Sequence, residues 1–142
     1  MPVAGISAVI VSGGTDGLAR AARATAAHVL RRERRRARVA ITFVGKTQMR
    51  RLNAEYLGHD YSTDVISFPL LQPDGSVAAD IYICRYVAAR NARAHAVPVR
   101  EELLRLVVHG TLHILGWDHP RDATLTRSPM WRRQERYLAS LP

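Results

Sequence analysis

The sequence predicts an α+β fold in which a mixed sheet of about four strands packs against helices, one of them central and buried. Three observations carry this expectation. Short stretches rich in β-branched residues recur along the chain, and segments with helical spacing separate them. The segment from Pro98 to Gly116 carries Leu103, Leu104, Val107, Val108, Thr111, Leu112 and Leu115, a stripe too wide for a helix with one wet face. At 142 residues with 47% hydrophobic composition, the chain suits one domain spanning residues 1–142.

Taken in order, Val3 to Val11 reads as a first strand, stopped by the turn residues Ser12-Gly13-Gly14. Leu18 to Arg32 reads as a helix with Ala22, Ala26, Val29 and Leu30 on one side, running into a basic segment that ends at Arg38. Val39 to Val44 alternates and is branched, hence a second strand, and Thr47 to Glu55 is a short helix ending before Gly58. Val65 to Phe68 and Ile81 to Cys84 are the third and fourth strands, with Pro69, Pro73, Asp74 and Gly75 assigned to the loop between them. Arg85 to Ala96 has helical composition. Pro98 opens the central helix, Glu101 and Glu102 suit its first turn, and Gly116 ends it. A last helix is expected from about Pro129 to Leu138.

The charge balance narrows the partner. With 21 Lys plus Arg against 12 Asp plus Glu, the net charge is +9, which favours polyanions, nucleic acid ahead of a membrane surface. Cys84 is the only cysteine, so neither an intramolecular disulfide nor a cysteine-pair metal site is expected, and a reducing, cytoplasmic setting fits. Arg105, His109 and His113 interrupt the most apolar later stretch, which argues against a membrane span.

The chemistry concentrates in His109-Gly110-Thr111-Leu112-His113-Ile114-Leu115-Gly116-Trp117-Asp118-His119. Residues four apart lie one turn above another on a helix, so the imidazoles of His109 and His113 can share one ion. A left-handed turn at Gly116 can bring His119 back toward them. Three neutral imidazoles leave a fourth position open, the pattern of catalytic and not structural zinc. The same spacing occurs in zincin metalloproteases, but Gly110 stands where their general-base glutamate would be.

The surrounding words are more specific. Leu52-Asn53-Ala54-Glu55-Tyr56, Asp60, Thr63-Asp64-Val65-Ile66-Ser67-Phe68-Pro69 and Asp80-Ile81, together with the histidine run, resemble the YbeY family of bacterial endoribonucleases across residues 40–135. The resemblance implies cleavage of single-stranded RNA, 3′-end maturation of small-subunit ribosomal RNA, and ribosome quality control. It also implies one zinc ion, with nickel or another divalent metal as alternatives, held by His109, His113 and His119. One position departs from the pattern. The arginine that usually follows the tyrosine of the Leu-Asn motif, and is thought to face phosphate, is Leu57 here.

Candidate proton acceptors are Asp80 and Asp118, the latter also placed to orient an imidazole, with Asp64 ranked behind them. Arg50, Arg51 and Arg85 are candidates for the displaced cationic task, and Thr63 and Ser67 for hydrogen bonds to RNA or for fixing a loop. Two other functions compete: an RNA-binding ribosome-assembly factor with a structural metal, suggested by Leu57, and a zincin-like peptidase, opposed by Gly110.

Overall fold

The structure, a computed structural model, describes residues 7–118 and 128–142. In chain order these form β1 (Ala8–Ser12), α1 (Asp16–Glu33), β2 (Ala37–Val44), α2 (Lys46–Leu57), β3 (Val65–Leu71), β4 (Val77–Cys84), α3 (Arg85–Ala94), α4 (Val99–Ile114) and α5 (Pro129–Ala139). The strands make one mixed sheet in the order β1-β2-β4-β3. β1 pairs with β2 and β2 with β4 in parallel, while β3 lies antiparallel to β4 at the edge. The α+β architecture expected from the sequence is therefore present.

Alternation along the strands sorts residues between two faces. Val39, Ile41 and Phe43 of β2 and Val77, Ala79, Ile81 and Ile83 of β4 pack in one core cluster with Ala22, Ala26 and Leu30 of α1 and Leu103, Leu106 and Val107 of α4. The opposite face carries Val44, Ile66 and Cys84, which pack against Met49 of α2 and Val87 of α3. Val107, Val108 and Leu112 of α4 are fully buried, each side chain contributing about 1.5–3 kcal/mol by leaving water. α5 adds Met130 and Tyr137 over Val29, Val108 and Leu112, which seals the outer side of α4.

Local chemistry explains where the boundaries fall. Thr15 caps α1 by accepting the Leu18 N–H at 3.2 Å, so the helix begins two residues before the apolar spacing does. Ser128 caps α5 in the same way, ahead of Pro129 in its first turn. α3 stops at Ala94, two residues short of expectation, because Ala96 adopts a left-handed φ of 56° and the Val97 N–H returns to the Ala92 carbonyl at 3.0 Å. β3 runs on through Pro69 to Leu71, and Pro69 is tolerated there because an edge strand has one side without a ladder partner. β1 begins at Ala8. The earlier part of the strand expected from Val3, residues 3–6, lies outside the described residues.

Candidate functional site

α4 presents two histidines beside the edge of the sheet. His109 and His113 are half-buried, one turn apart, with ring centroids 4.6 Å from each other and planes at 76°. They line a pocket of about 430 Å³ together with Thr63, Ser67, Leu57 and Asp118. Gly110 allows this closeness. A Cβ on it would stand 2.9 Å from Ile81 Cγ2 and 3.4 Å from Ser67 Oγ, so α4 approaches β3 and β4 through a position with no room for a side chain.

A hydrogen-bond chain fixes which nitrogen of His109 carries the proton. The Gln134 carboxamide is buried, 1% exposed, and its Nε2 donates to Glu135 Oε2 at 3.0 Å. A carboxylate only accepts, so the amide is oriented with its oxygen toward His109. That oxygen lies 2.6 Å from His109 Nδ1, which must therefore donate. In the neutral ring Nε2 then keeps its lone pair, the arrangement that histidines bound to metals use. Glu135 is held in turn by Arg105 at 3.0 Å, and Arg105 also binds Glu102 at 2.9 Å and Glu101 at 3.3 Å. Burial disfavours the Arg105 charge, but its hydrogen bonds to Glu135 and Glu102 outweigh that and hold its pKa above the ordinary arginine value.

After α4 the chain turns as the sequence suggests. Gly116 has φ 101°, and the Trp117 N–H returns to the Leu112 carbonyl at 3.1 Å. The Trp117 indole donates to Glu33 Oε1 at 2.9 Å and lies under the Arg133 guanidinium, so this ring is committed to packing. His119 lies outside the described residues, and among those described no group of three His, Cys, Asp or Glu side chains is placed to hold a metal. The donor chemistry of His109 and His113 fits a cation that accepts imidazole.

The sequence profile described as "Endoribonuclease YbeY" matches residues 14–142. The chain belongs to the YbeY family. Within it, the chain is similar to the endoribonuclease YbeY of Anaeromyxobacter sp., at 45% identity over 64% of this chain and 48% of the relative. It is also similar to that of Alkalilimnicola ehrlichii, at 40% identity over 74% of this chain and 65% of the relative. The chain thus spans about half to two thirds of the length of these two relatives. For Chlorobium luteolum the identity is 39%, over 72% of this chain and 73% of the relative. A solution structure of the Thermotoga maritima protein TM1509 superposes with a TM-score of 0.68 at 28% identity, covering 94% of this chain and 88% of that one.

Against this YbeY framework the other residues named from sequence divide clearly. Thr63, Ser67 and Asp118 come to the histidine pocket. The Thr63 hydroxyl also donates to Asp64 Oδ1 at 3.4 Å, and the same oxygen accepts the Val65 N–H at 2.8 Å, so this loop is tied down where β3 begins. Asp80 does not come to the histidines. Its neighbour Ile81 faces Gly110, so alternation sends Asp80 to the opposite face of the sheet, into a groove with Arg38, Ile10 and Leu70. Arg50, Arg51 and Arg85 are exposed and do not line the pocket. Arg50 is engaged by Asp60 through two hydrogen bonds of 2.9 and 3.1 Å, which lower the Asp60 pKa and raise that of Arg50. Leu57, 49% exposed, stands on the pocket wall where the family usually has arginine. Sequence reasoning missed Gln134. It lies 25 residues from His109, on a helix read only as packing the outside.

Proposed function

We propose that this chain is a metal-dependent endoribonuclease, hydrolysing phosphodiester bonds in single-stranded RNA. Its substrate is small-subunit ribosomal RNA, its work 3′-end maturation and ribosome quality control in the cytoplasm, as the family resemblance implies. One zinc ion, or nickel or another divalent metal, is held by His109, His113 and His119. The observation that carries this reading is the His109–His113 pair, with the protonation of His109 set by Gln134, in a pocket that also holds two hydroxyls and two carboxylates. The relatives' name, endoribonuclease, and the net charge of +9 support it.

When bound, such an ion supplies Lewis acidity toward a phosphoryl oxygen. The protein's own groups do the rest. Ser67 donates a hydrogen bond to the phosphate and positions it against the imidazoles, while Thr63, whose hydroxyl proton goes to Asp64, fixes the loop beside it. Asp118, one of two carboxylates on the pocket wall, accepts the proton of the attacking water as its oxygen bonds to phosphorus, and the ester oxygen that leaves takes a proton from solvent. Arg51 and Arg85, outside the pocket, hold flanking phosphates.

The test is His113→Ala assayed on single-stranded RNA with and without chelator. Cleavage is expected to fall about a hundredfold or more with circular dichroism unchanged. Undiminished cleavage by the folded variant rejects the reading.

Leu57 on the pocket wall favours a second reading, an RNA-binding assembly factor whose metal is structural. It requires holoprotein that binds RNA without cutting it, and a large loss of thermal stability when the metal is removed. A peptidase reading is opposed by Gly110, where the contact with Ile81 leaves no space for a glutamate.

A further inference from the structure

The pocket at the histidines has a second arm. His109 and Asp64 line both the 430 Å³ pocket and an adjoining cavity of about 480 Å³, whose other walls include Trp131, Leu106, Val97, Asn91 and His95. The two arms differ in chemistry. The first is walled by two hydroxyls, two imidazoles and the carboxylates of Asp64 and Asp118, whereas most of the exposed surface of the second is apolar, supplied by the half-buried Trp131 indole with Val97 and Leu106.

Charge decides further. Arg105 lines the second arm, yet its one positive charge is met by the three carboxylates of Glu101, Glu102 and Glu135. Arg105 is therefore already engaged and, with Asp64 and Glu102 also lining the arm, this wall does not favour phosphate. It does not repel a flat neutral ring. Acceptors are also at hand. Glu102 lines the arm, and His95 Nδ1 lies 2.8 Å from the Asn91 carbonyl, to which it must donate, so Nε2 of the neutral ring accepts. The Asn91 carboxamide both donates and accepts.

We propose that this arm binds a nucleobase of the RNA strand, the one flanking the phosphodiester at His109 and His113, stacked on Trp131. The inference rests on the endoribonuclease reading and adds to it a base subsite. Aromatic stacking is the common way to hold an unpaired base, and acceptors in the wall favour bases with an exocyclic amino group over uracil.

Two experiments separate this subsite from the activity itself. The first follows indole N–H resonances by NMR during titration of the full chain with adenosine and, separately, with ribose 5-phosphate. Adenosine should shift the resonance that disappears in Trp131→Phe, uridine should shift it more weakly, and ribose 5-phosphate should leave it in place. The second compares cleavage of an RNA carrying an abasic residue beside the cut with cleavage of the intact RNA. The abasic substrate should lose roughly tenfold in kcat/KM with the wild type, and much less with Trp131→Leu. Cleavage indifferent to the abasic residue, with no adenosine shift, overturns the subsite and leaves the endoribonuclease standing. An adenosine shift at Trp131 in a protein that cuts no RNA sinks the activity and keeps the base site.

Discussion

At the scale of single residues, two signals of different legibility meet in one imidazole. The spacing of His109 and His113 is visible in any helical reading of the sequence, because four residues make about one turn. Their usable chemistry is not visible there. It depends on the Gln134 oxygen 2.6 Å from His109 Nδ1, and on Glu135 turning that amide the right way. No local pattern links residues 109 and 134, which only the packing of α5 on α4 brings together. Replacing Gln134 with Leu keeps the volume but leaves Nδ1 without its acceptor, freeing the other tautomer. On the proposed reading, metal affinity of Gln134→Leu, measured by chelator competition, should weaken about 10–100-fold while the far-ultraviolet spectrum is retained. Unchanged affinity would show that Gln134 only fills space. Asp80 is the converse case. The sequence offers it as a candidate proton acceptor, and alternation along β4 turns it to the face opposite Ile81 and the histidines.

Among the elements, α4 was the most legible and β3 the least. The wide apolar stripe of α4 reflects burial against both the sheet and α5, and burial leaves its mark on composition. β3 lies at an edge, where pairing on one side tolerates Pro69 and leaves Leu70 and Leu71 exposed, so a proline that marks a loop elsewhere falls inside the strand. The end of α3 was hidden for another reason, since Ala96 takes the left-handed position where a glycine would have marked the stop. Gly110 shows how sequence and structure assign different meanings to one residue. As sequence it is a missing base; in the fold it is the contact that seats α4 on Ile81. Gly110→Glu would force a carboxylate between Ile81 and Ser67, combining overpacking with burial of a charged group. It should destabilise the protein by about 3 kcal/mol or more in urea unfolding, without creating peptidase activity. A variant of native stability would mean that the helix can lift off the sheet at little cost.

For the whole molecule, charge acts outside the pocket and bonds between distant elements act within. If RNA is the ligand, log affinity should fall linearly with log salt, at a slope of about 0.7 per phosphate contacted on a single strand. Arg51→Ala or Arg85→Ala should flatten that slope more than Arg50→Ala, because Asp60 already partners Arg50; equal slopes would show that the Asp60 pairing does not set phosphate access. Within the fold, Glu33 joins three parts of the chain. Its carboxylate accepts from Tyr137 and, at 2.7 Å, from Arg133, both on α5, and from Trp117 beyond α4. Burial alone would raise its pKa, but the hydrogen bonds from Tyr137, Trp117 and Arg133 together outweigh that and hold it below the ordinary glutamate value. A depressed folded-state pKa means that the unfolded chain binds the proton first as the pH drops. The stabilisation is therefore complete above the ordinary value, declines as the pH falls through it, and is lost below the folded-state value. Glu33→Gln should lower the melting temperature at neutral pH, and its melting temperature should fall less than that of the wild type between pH 6 and about pH 3, a window that brackets the ordinary glutamate value. Parallel acid limbs for the two proteins would mean that the charge of Glu33 does not hold α5 to α1.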